Sequence, residues 1–447
     1  MFDLILENGN LITMNNDNDI LLNKDVYINK GKIIAIKETT NKEIIPDCRI
    51  KIDATNKYLL PGFINTHTHI FQTLLRGIGA DLNVWEWFKI ALDENVSNLN
   101  KEHCYISAKL GAMEAIRSGT TTILDFNYPH PTKFLVDECF NAFNSVGIRS
   151  IIARAIIDQG KAHPEIINNS RNEINDCIRL LEKYHQNGSD MQHVWLAPYT
   201  IFSTSLKAYR QIVKLAEEFD TFLTIHASTP STIEESRNLY GKKDLEFQYS
   251  QNFLSKNVLA AHCTTDIDEN VLAMLKECEV KISHNPASNC YLGEGIAPIK
   301  EMLEHGITVG LGTDGPASNN NHDMIFILKL TALLQKVKYL NPEAISAEKV
   351  LRLATIEGAK CLGLENIIGS IELGKKADIS IFDLHSLNTS TMHEPIKSIV
   401  YSSNQENVSD VIIDGKVILK DRKFVNQNEK EVIESAELLG KDLVKKL

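Results

Sequence analysis

Histidines and an aspartate recur in this sequence at the ends of short apolar segments. His67 and His69 lie two residues apart in "NTHTH", so both side chains point to the same face of an extended strand. Other such residues follow later apolar segments one at a time: His226, His262, His284 and Asp314. The whole chain has 14 histidines, so five in this setting are a large share. Imidazoles and a carboxylate in this pattern indicate a metal site.

Each of these residues alone also has an ordinary structural explanation. A single histidine after an apolar segment is most often a buried histidine with a hydrogen-bond partner. An aspartate that follows a strand is often the N-cap of a helix. The joint pattern favours the metal site, because chance rarely places all of these groups at strand ends.

Three imidazoles and a carboxylate suit one divalent ion, either zinc or iron(II). Such an ion lowers the pKa of a bound water, so hydroxide forms near neutral pH. Asp314 can ligate the ion and also accept the proton of the water. His262, if it is not a ligand, can hold the hydroxide or polarise the electrophile.

The elements that must position these residues alternate between apolar and amphipathic segments. Segments such as "SLKAYRQIVKLAEEF" have apolar residues three and four apart, which is typical of helices. Eight β-rich segments lie between them, at 59–66, 120–126, 148–157, 193–199, 221–227, 258–263, 280–285 and 308–314. This alternation predicts an α/β fold, a (β/α)8 TIM barrel with its active site at the carboxyl ends of the strands.

Both ends of the chain have a different pattern, with short strands and hairpin turns. Asn8-Gly9 and Asp414-Gly415 each separate two apolar segments, which is a hairpin signal. We predict one small composite β-sandwich domain from 1–57 and 366–427. The barrel is predicted to span 58–365, and a charged amphipathic helix 428–447.

Composition excludes several function classes. The net charge is −11 without a block of basic residues, which argues against nucleic acid or an anionic membrane as a partner. The eight cysteines form no C-x-x-C pair, and we identify neither a signal peptide nor a long apolar span. We therefore expect a cytoplasmic protein, and we expect it to be a homo-oligomer.

The motifs "PGFINTHTH", "AIRSGTTTILD", "AAHC", "SHNPASN" and "GLGTDGPASNN" resemble the amidohydrolase superfamily. The similarity is greatest to the branch with cytosine deaminase, s-triazine hydrolases and S-adenosylhomocysteine/methylthioadenosine deaminases. This resemblance implies one catalytic metal, held by His67, His69, His226 and Asp314, with His262 touching the hydroxide and the substrate. The implied reaction is attack on an amidine-like ring carbon with release of ammonia.

The sequence departs from the deaminase pattern at three places. A glutamate expected three residues after His226, which protonates the ring nitrogen, is replaced by Thr229. Leu196 stands where nucleoside-type relatives have a histidine. A ribose-binding glutamate aligns with Val96, although Asp93 and Glu94 lie close enough to leave that alignment open.

These departures favour a substrate without ribose, because a buried hydroxyl without a partner is costly. We therefore predict a metal-dependent deaminase of a creatinine-like cyclic guanidine, an aminotriazine, or a pyrimidine- or pterin-like base. The alternatives are a nucleoside deaminase of the S-adenosylhomocysteine/methylthioadenosine type and a cyclic-amide hydrolase. A non-catalytic metal-binding protein is a third class of hypothesis.

Three routes could replace the missing glutamate. Asp314 could make both proton transfers alone. Glu114, Glu234 or Glu235 could reach the site from another direction. Alternatively, the ring nitrogen of the substrate could already be protonated, as in a guanidinium-like ring.

Several further residues are candidates for contact with the substrate. Trp87 could stack on a planar ring, and Arg154 could meet a carbonyl or carboxylate. The hydroxyls of Ser228 and Thr229 could position a ring nitrogen. His284 and Cys290, at and after the seventh strand, complete the predicted substrate-binding set.

Overall fold

The structure is a computed structural model that describes residues 1–39, 47–160, 162–186 and 189–444. Strands in these ranges fall into a closed barrel and a separate mixed sheet. In chain order they are β1 (Phe2–Ile12), β2 (Ile20–Asn29), β3 (Lys32–Glu38), β4 (Cys48–Asp53), β5 (Tyr58–Pro61), β6 (Phe63–Thr68), β7 (Thr120–Asn127), β8 (Arg149–Ile156), β9 (Gln192–Pro198), β10 (Leu223–Ala227), β11 (Val258–His262), β12 (Lys281–His284), β13 (Val309–Leu311), β14 (Ile379–Phe382), β15 (Val408–Ile413), β16 (Lys416–Lys420) and β17 (Lys423–Phe424).

The barrel confirms the predicted α/β fold. Strands β6 to β13 form a closed ring in chain order, and the measured pairings are parallel. The residues of β6, β7 and β8 are all buried, which explains their nearly continuous apolar and β-branched sequences. Each of the eight predicted β-rich segments overlaps a barrel strand.

The first of those segments, 59–66, is divided between the two sheets. Its beginning belongs to β5, which pairs with β1 and β14 in the terminal sheet, and only its end belongs to the barrel. Gly62 separates the two strands. A Cβ at Gly62 would lie 2.1 Å from the Thr121 side chain, so the chain can pass here only without one. Tyr58–Pro61, predicted within the barrel domain, therefore lies in the terminal sheet.

The terminal sheet combines both ends of the chain, as predicted. Its strands follow the order β17-β16-β15-β14-β5-β1-β2-β3, and β4 adds to β1. Apolar side chains from both ends, including Leu6, Ile28 and Ile379, form a core of their own. The sheet therefore closes over a small hydrophobic centre separate from that of the barrel.

Helices cover the outside of the barrel. The α-helices of the described ranges are α1 (Val84–Trp87), α2 (Glu94–Val96), α3 (Lys101–Arg117), α4 (Leu135–Val146), α5 (Ser170–Leu180), α6 (Leu206–Glu218), α7 (Pro230–Tyr240), α8 (Asp244–Ser250), α9 (Glu269–Glu277), α10 (Pro286–Tyr291), α11 (Ile299–Glu304), α12 (Pro316–Asn319), α13 (Met324–Tyr339), α14 (Ala347–Leu353), α15 (Ile356–Cys361), α16 (Pro395–Tyr401) and α17 (Glu429–Leu443). Short 3-10 turns span Ile70–Leu75, Pro164–Ile166 and Gln405–Asn407, and π-helical turns span Phe88–Asp93 and Leu181–Gln186.

Helix α17 is the predicted C-terminal helix, and it packs on α3. Its Asp442 lies 3.3 Å from the buried His103 imidazole. None of the helices in the described ranges combines the length and apolar character that crossing a membrane requires.

Candidate metal centre and substrate cavity

Closure of the barrel places Asp314 beside the first strand. The Asn65 amide nitrogen donates to the Thr313 hydroxyl at 2.8 Å, and the Thr313 backbone N–H donates to the Asn65 side-chain oxygen at 3.1 Å. The Asp314 N–H donates to the His67 carbonyl at 3.0 Å, and the Thr68 hydroxyl to the Asp314 carbonyl at 2.9 Å. These bonds fix the segment after β13 against β6, so the aspartate and the first histidines meet on one rim.

Two of the histidines are oriented by backbone carbonyls. His69 Nδ1 lies 2.7 Å from the Phe126 carbonyl, and His226 Nδ1 lies 3.0 Å from the Tyr199 carbonyl. Since a carbonyl can only accept, each Nδ1 carries the proton and each Nε2 has a lone pair. The two Nε2 atoms are 3.3 Å apart with no proton between them. Two lone pairs this close indicate a place for a cation.

Asp314 and His67 complete the arrangement. Asp314 Oδ1 lies 3.4 Å from His67 Nε2 and 3.2 Å from His69 Nε2. The other carboxylate oxygen accepts hydrogen bonds from the Ser288 and Ser318 hydroxyls, which leaves Oδ1 turned to the imidazoles. Within the described chain, Asp314 Oδ1 and both His67 ring nitrogens are buried without a hydrogen-bond partner.

The donor set therefore fits one divalent metal ion. Buried polar atoms normally have partners, so several unsatisfied lone pairs in one place require an explanation. Four ligand atoms, from His67, His69, His226 and Asp314, face one another, and the imidazole nitrogens lie within 4.8 Å. Three nitrogens and one carboxylate oxygen form a set that zinc accepts.

The electrostatics of the site keep it ready for a cation. Burial lowers the pKa of His67 to about 4 and that of His226 well below its usual range, so both imidazoles stay neutral. Burial alone would raise the pKa of Asp314, but the adjacent His67 and His69 hold it well below its usual range. The neutral and ionised forms that metal ligation needs are therefore those present near pH 7.

His262 is held by a different device. Its Nδ1 donates to the Asn289 side-chain oxygen at 2.8 Å, so its Nε2 carries the lone pair. His262 ends β11 in the left-handed region, with φ of 76°, and Asp314 has φ of 57°. Non-glycine residues rarely adopt this conformation, which is concentrated at functional sites. Both residues turn sharply where the chain leaves the barrel.

A cavity of about 570 Å³ opens on these groups. Its wall includes His69, His226, His262 and Asp314, together with aromatic side chains. Trp87, predicted to contact the substrate, lines this cavity and is fixed by a 2.9 Å hydrogen bond from its indole N–H to the Ala317 carbonyl. The combination of apolar walls with a few convergent polar groups is typical of sites for small molecules.

Thr229 and Ser228 differ in their placement. Thr229 lines the cavity and is the N-cap of α7. Ser228 is buried against Asp244, which accepts a 2.6 Å hydrogen bond from the Ser228 backbone N–H. Ser228 therefore shapes the turn before α7, and its predicted contact with a ring nitrogen is not supported by its position.

Three other predicted substrate-binding residues are absent from the cavity wall of the described chain. Arg154 is bound bidentately by Glu173, at 2.9 and 3.0 Å, because its side chain reaches helix α5. Cys290 is exposed on α10. His284 is completely buried behind the rim, where burial lowers its pKa to about 3.

The candidates for the missing glutamate lie elsewhere. Glu114 on α3 is mostly buried and pairs with Arg76, and it does not line the cavity. Glu234 is exposed on α7, and neither it nor Glu235 lines the cavity.

Glu294 is a site residue that the sequence analysis missed. Its side chain lines the cavity, and its Oε1 accepts a 2.9 Å hydrogen bond from Ser231. The only signal in the sequence was a pair of glycines around it, in Gly293-Glu294-Gly295 shortly after the seventh strand. Both glycines have positive φ in the structure, 67° and 97°. Asn289, Ser288 and Ser318, which orient His262 and Asp314, were also missed.

A second cavity, of about 760 Å³, adjoins the first. The two share Phe88, Tyr128, Tyr199 and Phe202, so these side chains form a common wall. Tyr128 and Tyr199 stack with ring centroids 4.3 Å apart. Its other lining residues are mostly apolar, and Asp93 is the one carboxylate among those described.

The comparisons with known proteins agree with this site. Residues 58–418 match the model of the Amidohydrolase family. The chain belongs to the amidohydrolase family. The superfamily indicated by the motifs is thereby confirmed, and this amidohydrolase is a hydrolase that acts on C–N bonds other than peptide bonds.

Curated relatives of this amidohydrolase extend over nearly its whole length. It is 38% identical over 434 residues to a 5'-deoxyadenosine deaminase of Methanobrevibacter smithii, covering 94% of this chain and 97% of that protein. It is 34% identical over 447 residues to a 5-methylthioadenosine/S-adenosylhomocysteine deaminase of Thermoanaerobacter pseudethanolicus, covering 99% and 100%.

Solved structures show the same architecture. An adenosine deaminase from Xanthomonas campestris with bound zinc superposes with a TM-score of 0.90 at 25% identity, covering 100% of this chain and 99% of that one. Atrazine chlorohydrolase TrzN from Arthrobacter aurescens TC1 superposes with a TM-score of 0.92 at 24% identity, covering 98% and 100%. The second similarity bears on the fold alone.

Proposed function

We propose that this amidohydrolase is a zinc-dependent deaminase of adenosine-type nucleosides whose 5' position carries no charge. The relatives favour the nucleoside alternative of the sequence analysis over a ribose-free ring, since one is named a 5'-deoxyadenosine deaminase and the other a 5-methylthioadenosine/S-adenosylhomocysteine deaminase. Zinc agrees with the donor set and with the ion bound in the Xanthomonas structure.

The observation that carries the proposal is the pair of adjoining cavities. We call the cavity that opens on the site of the metal-type residues (His67, His69, His226 and Asp314) the inner cavity, and the adjoining second cavity the outer cavity. The outer cavity is mostly apolar, with Asp93 in its wall. A purine in the inner cavity would place its sugar toward the common wall of aromatic side chains. An apolar outer cavity accepts a methyl or thioether group at the 5' position better than a hydroxyl or phosphate.

Asp93 can take the place of the ribose-binding glutamate that was expected at position 96. Val96, where that glutamate aligns, and Asp93 lie three residues apart and both line the outer cavity. Residues three apart in a helical segment face the same side. A carboxylate one turn earlier can therefore accept hydrogen bonds from ribose hydroxyls, so Val96 does not argue against a nucleoside.

The residues of the chain divide the chemistry of hydrolysis among them. A divalent ion held by His67, His69, His226 and Asp314 would lower the pKa of a water molecule in the site. The ionised Asp314 is the group available to take the proton from that water. His262, with Nδ1 fixed by Asn289, presents Nε2 toward the cavity, where it can hold the attacking oxygen.

A direct test is ammonia release from matched nucleosides and free bases. The panel contains 5'-deoxyadenosine, 5'-methylthioadenosine, S-adenosylhomocysteine, adenosine and adenine, together with creatinine, cytosine, an aminotriazine and a pterin. We expect the purified protein to deaminate 5'-deoxyadenosine and 5'-methylthioadenosine faster than adenosine and S-adenosylhomocysteine, and to leave adenine nearly untouched. Ammonia release from creatinine or a free base alone, or ring opening without ammonia, would contradict the proposal.

The metal part of the proposal is tested separately. Metal analysis of the protein as purified should find about one divalent ion per chain, and removal by a chelator should abolish ammonia release. Addition of zinc should restore it. Full activity in chelated protein free of metal would contradict the assignment.

A further inference from the structure

We propose that Glu294 is the acid that protonates the ring nitrogen of the substrate, replacing the glutamate absent at position 229. This inference rests on the proposed deamination, because such a reaction must convert an amino group into a leaving group. It assigns a catalytic role to a residue after the seventh strand, whereas the resemblance implies one after the fifth.

Position in the cavity is the first argument. Of the carboxylates in the described chain, two line the inner cavity, Asp314 and Glu294. Asp314 is committed to the imidazoles and to two serine hydroxyls. Glu294 has no basic partner among the ion pairs of the described residues, so it is the carboxyl group available to the ring nitrogen of the substrate.

Glu294 also reaches the place where the lost glutamate would stand. Its Oε1 accepts a hydrogen bond from the Ser231 hydroxyl at 2.9 Å, and Ser231 Oγ lies 2.9 Å from Thr229 Oγ1. A short chain of hydrogen bonds, from Thr229 through Ser231, therefore connects position 229 with Glu294. The carboxyl group of Glu294 is thus separated from Thr229 by a single serine hydroxyl.

The backbone around Glu294 is fixed. Its N–H donates to the Asn289 carbonyl at 2.8 Å, and its carbonyl accepts from the Thr264 hydroxyl at 2.6 Å. Gly293 and Gly295 on either side adopt positive φ, which lets this tight loop turn twice and direct the side chain inward. Both backbone groups of Glu294 are thus bonded, so the loop fixes the point from which its side chain extends.

The same loop serves both proton-handling residues. Asn289 accepts from His262 Nδ1 through its side chain and from the Glu294 N–H through its carbonyl. His262 and Glu294 therefore keep a constant relation to each other, because one residue holds both.

The surroundings favour the protonated acid. Only 7% of the Glu294 surface is exposed, and burial raises the pKa of its carboxyl group. His262 and the Ser231 hydroxyl act in the opposite direction, which limits the rise. A carboxyl group with a raised pKa holds its proton at higher pH than an exposed glutamate does, and such a group can donate the proton to a ring nitrogen.

The proposed steps balance in protons and bonds. Water gives one proton to Asp314 and forms the C–O bond, while Glu294 protonates the ring nitrogen as the C=N bond becomes single. The ionised Glu294 then takes the proton of the new hydroxyl. Asp314 gives its proton to the amino group, the C–N bond breaks, and ammonia leaves. Both carboxyl groups return to their starting forms.

The test compares Glu294→Gln with the wild type and with Glu234→Gln, an exposed glutamate on α7 outside the cavity. Glutamine keeps the size and can accept from Ser231, but it cannot give up a proton in this way. We expect kcat for the nucleoside, or for whichever ring of the panel is deaminated, to fall roughly 10²–10⁴-fold in Glu294→Gln. Metal content and substrate affinity should remain those of the wild type, and Glu234→Gln should match the wild type in every measurement.

The pH profile gives a second signature. The donor must be protonated, so kcat of the wild type falls as pH rises through the pKa of Glu294. That alkaline decline should be absent from the residual activity of Glu294→Gln. The conservative Glu294→Asp variant should keep the decline at reduced kcat. A Glu294→Gln enzyme with wild-type kcat and pH profile would overturn the inference while leaving the proposed function intact.

If the wild type deaminates nothing in the panel, the proposed function is contradicted. The role of Glu294 can still be tested in that case, by measuring how tightly the protein binds the deaminated product. The inosine-type product has an N–H where the substrate ring has a bare nitrogen. This N–H should donate to a carboxyl oxygen of Glu294, so the Kd of the product should rise roughly tenfold in Glu294→Leu, which offers no acceptor. An unchanged Kd would overturn the role of Glu294 as well.

Discussion

The two sides of the inner cavity are built by different parts of the fold. On one side, the metal-type residues lie on barrel strands or directly after them, and every one was found at the expected strand end. On the other side, Thr229, Ser231 and Glu294 lie in loops, and the acid comes from a segment that the sequence pattern did not indicate. Strand ends keep their direction because the barrel fixes them, whereas a loop can bring the same chemical group from a new position.

The comparison also separates two kinds of support. His69 and His226 are held by backbone carbonyls, and Asp314 is held by the closure of the barrel and by two serine hydroxyls. Glu294 depends on one serine, one threonine, one asparagine and two glycines.

The largest effect is expected for Asp314→Asn. An amide cannot take a proton from water, and its NH2 group would face either two serine hydroxyls or the imidazoles. We expect kcat to fall by roughly 10⁴-fold or more, with a melting temperature close to that of the wild type. Ammonia release, metal analysis and thermal unfolding check this. Retained activity would contradict the mechanism.

Asp93→Ala should affect substrate binding more than chemistry. If Asp93 accepts hydrogen bonds from the ribose, KM for a nucleoside should rise about ten- to hundredfold while kcat changes little. Glu94→Ala is the matched control, since Glu94 is the exposed neighbour in sequence. Equal KM values for the two variants would contradict the binding of the ribose at Asp93 in the outer cavity.

Restoring the family pattern by Thr229→Glu should not improve the enzyme. A carboxylate at 229 would lie next to the buried Glu294, and like charges at close range disfavour the ionised forms. The change also removes the N-cap of α7, which costs about 1 kcal/mol of stability. We expect kcat to fall about tenfold, measured together with thermal unfolding. A large gain would show that the loop side has decayed rather than been rebuilt.

Ser231→Ala should have the smallest effect on kcat, and it should move the alkaline decline of kcat in one predicted direction. Ser231 positions Glu294, and its hydroxyl lowers the pKa of that carboxyl group. Without this donor the pKa rises, so the alkaline decline of kcat should move to higher pH. We expect a decrease of kcat of about threefold, in the range of one lost hydrogen bond. A decline that stays in place, or moves to lower pH, would contradict the contact.

The fold and the metal-type residues could be predicted because both follow from strand periodicity. An apolar segment predicts a barrel strand, and its last polar residue then lies on the catalytic rim. Periodicity does not say which way a single side chain turns, so Arg154 was expected at the cavity although it reaches α5 and Glu173. Nor does periodicity describe loops, which explains why Glu294 and Asn289 were missed.

The terminal sheet imposes an order on how this chain matures during synthesis. Strand β5 directly precedes the barrel, yet its partner β14 leaves the ribosome only after all eight barrel strands. Until then the free edge of β5 exposes unpaired backbone groups, the kind of edge that invites association with other chains. The last strands to be made therefore close a sheet that the first strands began, and the nascent protein carries an open edge through most of its translation.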